Sequence, residues 1–322
     1  MIALARALCL TVLFTHTVSA QAPTSTFKIP TWAFPNIAPE LVAKPPFDSI
    51  LPIRVPKSAK TYTLAQVKNQ FGPPDWHPTT HPPAPDVVAK GRKPAGWACG
   101  YCHLLDGQGR SENATLAGLP VEYFTQQVID IRSGARHSAV PGWGPSQNMT
   151  NVVKDITDEE IDIAAKYFAS LKAKQRYTVV ERTQVPRTDE AGGLYAPKTD
   201  HTTEPLGARI IEVTTDLRRH EMRDAAETFI AYVPPGSIAR GRKLANAKTA
   251  TSCATCHGPA LRGLGTAPPI AGRSPLYILR QLVGFRTLAR AGDTAALMQT
   301  VVANLELDDM IAAAAYAGSL KP

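Results

Sequence analysis

The chain has 322 residues, 44% of them apolar and 19% charged, with a formal net charge of +8. That length holds two or three small domains with cores of their own, and the composition is that of a folded protein rather than a disordered one. The 28 prolines cluster, which points to long, ordered but irregular segments.

Residues 1–20 read as an export signal. Arg6 supplies a short positive start, Ala7 to Phe14 a brief apolar core, and Val18-Ser19-Ala20 small residues before a cut. The expected mature chain begins at Gln21, and Cys9 is lost with the signal. The apolar run is too short for an anchor, and no later stretch approaches the ~20 apolar residues of a spanning helix. Loss of Arg6 leaves a charge of +7. This reads either as a solvated basic surface or as attraction to an acidic partner or membrane surface. No nucleic-acid partner is expected.

Residues 21–84 form a proline-rich extension, with Lys44-Pro45-Pro46, Gly72-Pro73-Pro74 and His81-Pro82-Pro83 among its breaks. Long helices are excluded there, and one short helix is expected within Thr61 to Phe71. An arm wrapped over the rest of the chain is favoured over a docking arm. His77 and His81, flanked by prolines, are expected to face solvent.

Residues 85–172 contain Cys99-Gly100-Tyr101-Cys102-His103, and residues 235–322 contain Cys253-Ala254-Thr255-Cys256-His257. This C-x-x-C-H spacing is the attachment signal for haem c. Two thiols three positions apart reach the two vinyl groups of one porphyrin edge, and the next histidine turns its imidazole to the iron. Zinc would not require the adjacent histidine twice, and neither motif follows the βαβ pattern of a thioredoxin-like disulfide. With no cysteine left over in the mature chain, two covalent haem c groups are the reading, held by Cys99, Cys102, Cys253 and Cys256.

The two segments repeat each other. Val88-Ala89-Lys90-Gly91-Arg92-Lys93 matches Ile238-Ala239-Arg240-Gly241-Arg242-Lys243, and Leu116-Ala117-Gly118 matches Ile270-Ala271-Gly272. Tyr123, Gln127, Arg132 and Arg136 match Tyr277, Gln281, Arg286 and Arg290 at a constant offset of 154 residues, and Met149 to Leu171 matches Met298 to Leu320 at 149. Thr157-Asp158-Glu159-Glu160 has the form of a capping box. Ile161, Ala164, Ala165, Phe168 and Leu171 then share one helix face, as do Met310, Ala313, Ala314, Ala317 and Leu320. Glu306 replaces Thr157 in the second copy, a weaker cap. Each copy reads as a small helical unit: a helix before the motif, one or two after it, and a closing helix.

An electron-carrying haem needs a second axial ligand. Met149 and Met298 occupy equivalent places, 46 and 41 residues after His103 and His257. Met310 reads as core and Met222 as part of a charged, helix-like stretch outside both copies. His137 competes in the first copy but has no equivalent in the second. The outer nitrogen of each proximal histidine is expected to meet a backbone carbonyl, that of Pro268 for His257 and that of Ala114 for His103.

Residues 173–234 join the copies. They begin polar, with Gly192-Gly193 and Pro197; Ile210 to Val213 reads as a short strand and Leu217 to Tyr232 as helix-forming.

C-x-x-C-H, then P-x-I/L-x-G, a Tyr-x-x-x-Gln helix, a methionine and a Tyr-bearing closing helix together resemble class I cytochrome c. The tandem copy resembles the two-domain dihaem cytochromes c of bacteria, over 85–172 and 235–321. The resemblance implies an all-α chain of two tandem class I cytochrome c domains, with the proline-rich extension and the long interdomain segment added. It implies axial pairs His103/Met149 and His257/Met298. It also implies periplasmic electron shuttling to redox proteins, either a membrane complex or a soluble reductase, oxidase or dehydrogenase. An electron-transfer protein rather than an enzyme is therefore expected, with no residue acting as acid, base or nucleophile. The alternatives are a dihaem enzyme, peroxidase-like or a sulfur-compound dehydrogenase, or the electron-entry subunit of a dehydrogenase complex. Lys90, Arg92, Lys93, Arg240, Arg242 and Lys243 either orient acidic partners or form a solvated helix face.

Overall fold

The computed structural model describes residues 27–36 and 50–322; the expected signal and its cut after Ala20 lie outside the described residues. The extension opens with a 3₁₀ turn at Thr31–Ala33. It continues with a short ribbon of β1 (Pro52–Ile53) and β2 (Tyr62–Thr63) and a one-turn helix α1 (Leu64–Val67). Thr63 and Gln66 form a reciprocal capping box at its start. Val55, Leu64, Val67 and Trp76 bury together against Met222 of the interdomain segment, and the Trp76 indole N–H donates to the Met222 carbonyl at 2.7 Å. The extension is thus packed onto the body over these residues.

The first repeat comprises α2 (Asp86–Ala89), α3 (Cys99–His103), α4 (Val121–Ser133), α5 (Gly144–Val152) and α6 (Asp158–Ala169). Helix α6 starts at the capping box read from sequence: Thr157 Oγ1 accepts the Glu160 N–H at 3.2 Å and Glu160 Oε2 accepts the Thr157 N–H at 2.8 Å. Its Ile161, Ala164, Ala165 and Phe168, with Leu171 just beyond, face a core shared with Val88, Leu116, Phe124 and Val128.

The interdomain segment corrects the all-α expectation. It forms β3 (Tyr177–Glu181), β4 (Gln184–Pro186), β5 (Thr188–Ala191), β6 (Leu194–Pro197), β7 (Thr203–Pro205), β8 (Ile211–Thr214), a short α7 (Leu217–Glu221) and β9 (Phe229–Val233). Five strands make a mixed sheet in the order β3-β9-β8-β6-β5, and β4 pairs with β7. Gly192 and Gly193, both at positive φ, form the two-residue turn of the β5–β6 hairpin, where Ala191 pairs with Leu194. Both central positions of such a turn require positive φ, which glycine supplies without strain. The stretch read as helix-forming, Leu217 to Tyr232, is helical only over α7. Phe229-Ile230-Ala231-Tyr232-Val233 alternates buried and half-buried side chains, the period of a strand.

The second repeat comprises α8 (Ser237–Ala245), α9 (Cys253–His257), α10 (Pro275–Arg286), α11 (Ala296–Val302) and α12 (Leu307–Ser319). Helix α12 is buried on every side from Met310 to Gly318, because β3 of the sheet covers the side opposite α10 and α8. Its apolar character therefore extends beyond the single face read from sequence. Outside the extension and the interdomain segment, the described chain is two copies of one helical arrangement.

Candidate haem centres

In both copies the C-x-x-C-H motif is one turn of helix, α3 and α9, so its two thiols stand three residues apart on one side. These four cysteines stand as free thiols. Burial pushes the Cys99 thiol up to about 12 and raises that of Cys253.

After each histidine the chain turns sharply at positive φ, at Leu104 (62°) and Gly258 (75°). Glycine does this freely; for leucine it stores roughly 1–3 kcal/mol of strain, which the buried setting of Leu104 holds in place. The loop that follows is the same in both copies. The Gly109 and Gly263 N–H groups donate to the carbonyls of His103 and His257 at 2.9 and 2.8 Å, and bridges Arg110–Asn113 and Leu264–Ala267 close equivalent turns. The turn delivers the Ala114 and Pro268 carbonyls to His103 Nδ1 and His257 Nδ1, each at 2.8 Å. A carbonyl only accepts, so Nδ1 carries the proton and Nε2 presents its lone pair. Burial lowers both imidazole pKa values, against the raising effect of the carbonyl bond, which keeps the rings neutral and fit to ligate.

Met149 lies on α5 and Met298 on α11, the short helices before the closing ones; each is half-buried against the core of its own copy. His137 is exposed, with Nδ1 3.0 Å from the Ser138 carbonyl. Met310 is fully buried in the core of the second copy.

Between the copies, residues matched by the repeat meet each other. Arg136 donates to Gln127 Oε1 (2.9 Å), Tyr277 Oη (3.0 Å) and Gln281 Oε1 (2.9 Å). Arg290 donates in mirror fashion to Gln281 Oε1 (3.2 Å), Tyr123 Oη (3.5 Å) and Gln127 Oε1. The backbones form an antiparallel bridge there, His137 N–H to Ala289 O and Ala291 N–H to Ala135 O, both 2.8 Å. Arg273 reaches across to the Thr115 and Ala117 carbonyls at 2.6 and 3.1 Å. Burial pulls its pKa down to about 10. Burial alone would raise the Tyr123 phenol, but Arg290 and Arg136 outweigh it and bring the phenol below its usual value. Among the described residues no carboxylate pairs with Arg136, Arg273 or Arg290. Buried Asp130 acts on Arg136 without forming an ion pair, so three buried arginines face one carboxylate; buried cations short of counter-charge are costly, and the carboxylates of haem are anions of the kind that would supply it. The residues present therefore fit two haem c groups.

Sequence reasoning missed a third layer of this junction. Glu212 of β8, fully buried, accepts from Ser111 of the first copy at 2.8 Å and from Ser274 of the second at 2.8 and 2.9 Å. It thereby ties the sheet to both. A glutamate alternating among Ile211 and Val213 in a strand was the available signal. The expectation that His77 and His81 face solvent is corrected. His77 Nε2 lies 2.8 Å from Asp224 and His81 Nε2 3.3 Å from Asp75, both rings being largely covered. Among the described residues no cluster of His, Cys, Asp and Glu could hold a metal ion.

No family model matches the chain. It is 28% identical over 229 residues to the thiosulfate dehydrogenase electron acceptor of Stutzerimonas stutzeri, covering 70% of this chain and 80% of that one. It is 27% identical over 223 residues to cytochrome c4 of Azotobacter vinelandii, covering 68% and 82%. Among solved structures, reduced cytochrome c4 from Pseudomonas stutzeri aligns with a TM-score of 0.45 at 24% identity, over 69% of this chain and 93% of that one. No helix among the described residues is long and apolar enough to cross a membrane. Two attachment motifs on a tandem fold, and relatives of this kind over most of their length, make the chain a dihaem c-type cytochrome similar to the cytochromes c4, an electron-transfer protein rather than an enzyme.

Proposed function

We propose that the chain carries single electrons in the periplasm through two His/Met centres, His103 with Met149 and His257 with Met298, in domains spanning 85–172 and 235–322. The observation that carries this is the duplicated setting of the histidines, each fixed by a 2.8 Å carbonyl bond that leaves Nε2 free. Each bound haem c would supply a one-electron iron couple. The protein's part is to hold its edges by Cys99/Cys102 and Cys253/Cys256, orient the imidazoles, and keep water from the buried sides. The donor we favour is a dehydrogenase, since two relatives bear the name thiosulfate dehydrogenase electron acceptor and one is the cytochrome subunit of a sulfide dehydrogenase.

The test is replacement of each methionine in the purified holoprotein. Met149→Ala and Met298→Ala should each remove about half of the weak far-red sulfur-to-iron band. Each should lower the midpoint potential of one haem only, by on the order of 100 mV within the roughly 0.8 V that axial ligation spans. A band unchanged in either variant rejects that methionine as a ligand.

A further inference from the structure

The two copies align without a gap from the haem motifs to the loops after them, yet their surroundings differ. In the first copy, Tyr101 lies between the two cysteines and the Arg223 guanidinium stacks 3.6 Å above its ring. Arg223 also donates to the Tyr101 carbonyl. Arg110, on the loop after His103, is buried, donates to the His220 carbonyl at 2.9 Å and pairs with Glu112 at 2.8 Å. One short piece of the interdomain segment, residues 220–223, thus touches both positions, which therefore share a face.

In the second copy the equivalents of Tyr101, Cys102 and Arg110 are Thr255, Cys256 and Leu264, and all three are exposed, Leu264 at 60%. The Thr255 hydroxyl donates to the Thr249 carbonyl at 3.2 Å, which sets exposed Lys248 beside this face; exposed Arg262 stands two residues before Leu264. From residue 228 to residue 292 the sequence has nine Lys or Arg and no Asp or Glu; Arg273, Arg280 and Arg290 are buried, which leaves the others for the surface. The equivalent cations of the first copy are already occupied: Lys90 pairs with Asp86, Arg92 with Glu160, and Lys93 lies over Phe71. In the second copy Arg240, the equivalent of Lys90, likewise pairs with Asp309, but Arg242, Lys243 and Lys248 form no ion pair among the described residues.

We propose that the open Thr255–Cys256–Leu264 face of the second domain is the docking surface for an acidic redox protein, and that the first domain's equivalent face is closed to partners by the chain's own residues 220–223. Exposed, apolar Leu264 with the cations Lys248 and Arg262 beside it suits a partner presenting carboxylates around its own redox group. Opposite charge there raises the encounter rate at low salt. The proposal rests on the two-haem reading, but it fails separately: loss of haem shows in the haemochrome spectrum, whereas a wrong docking face shows only in rates.

The test is stopped-flow reduction of the oxidised holoprotein by flavodoxin hydroquinone, an acidic electron donor, at about 0.01 M ionic strength, where the Debye length is about 30 Å. Lys248→Glu/Arg262→Glu is compared with Lys90→Glu/Lys93→Glu, an equal change of net charge. Intact spectra and haem content in both pairs establish folding. The second-domain pair should slow reduction about tenfold, and the difference from wild type should shrink as salt rises. The first-domain pair should change the rate less than about twofold. Equal slowing by both pairs, greater slowing by the first-domain pair, or no slowing by the second-domain pair overturns the proposal.

Discussion

His220 and Glu227 share a buried hydrogen bond, His220 Nδ1 to Glu227 Oε1 at 2.8 Å, beneath the segment that covers the first haem motif. Burial lowers His220 to about 3, with Arg110 next among the causes, and raises Glu227 to about 7, with Arg110 opposing. In the unfolded chain these groups titrate near 6.5 and 4.3. Between roughly pH 4.3 and 6.5 the unfolded pair therefore holds one proton, on the imidazole, and the folded pair also holds one, on the carboxyl. The two contributions to the pH dependence cancel in that window. Single replacements should expose them with opposite signs. In Glu227→Gln the folded imidazole resists a proton that the unfolded one accepts, so its stability should fall as pH drops from 6.5 toward 3. In His220→Gln the folded carboxyl keeps a proton that the unfolded one releases, so its stability should fall as pH rises from about 4.3 through 7. Urea midpoints across pH check both, and equal slopes in the two variants would contradict the account. At this scale the proximal histidines and their carbonyls were legible, because motif and loop spacing are local. The partners of His77 and Met222 were not, because Asp224 and Trp76 reach them from more than a hundred residues away; that of His81 is the nearby Asp75, brought to it by the turn between them.

At the scale of elements, the repeated pre-motif segment folds differently in the two copies, and the cause is visible in sequence. Helix α2 stops at Ala89, with Gly91 at positive φ and Pro94 beyond it, whereas Leu244 stands at Pro94's place and α8 runs on to Ala245. Proline lacks the N–H donor and disfavours helix in the residue before it. Within α8, Gly241 lies against α12 so closely that an added Cβ would sit 1.9 Å from the Ala312 carbonyl oxygen and 2.7 Å from Tyr316 Cβ. Gly241→Ala must push the two helices apart and should cost roughly 1–3 kcal/mol or more, seen as a lowered urea midpoint. Alanine at Gly134, where no atom lies within 4 Å, pays only for its positive φ and should cost less. The helices of both copies were readable from their period and caps. The five-stranded sheet as a whole was not, since its strands are four or five residues long and β3 pairs with the distant β9, Tyr177 with Phe229. Two local signals were there: the apolar Ile210 to Val213, read as a short strand and found as β8, and Gly-Gly between Thr188–Ala191 and Leu194–Pro197, which marks a two-residue hairpin.

For the whole molecule, the junction of the two copies is built from residues that the repeat had singled out, Tyr123, Gln127 and Arg136 meeting Tyr277, Gln281 and Arg290. Sequence showed them as equivalent; only the fold shows that equivalents face each other. Removing Arg136 strips hydrogen bonds from Gln127, Tyr277 and Gln281 at once, so Arg136→Ala should destabilise by about 2–4 kcal/mol. Arg290→Ala should do likewise. Because both arginines share Gln127 and Gln281, the double variant should lose less than the sum of the two single losses. An additive result would mean that the two arginines act independently. The sheet reinforces the junction through Glu212, which is why an insertion between the copies leaves them in contact.

The most direct test of the two-haem, electron-carrying account is a coulometric titration of the purified holoprotein, with haem counted as the pyridine haemochrome and the visible spectrum followed throughout. The account predicts two covalent haems per chain, uptake of two electrons, low-spin spectra at every stage and no change on adding peroxide. One haem per chain, or a high-spin band that responds to peroxide, would contradict it and make the chain a haem enzyme.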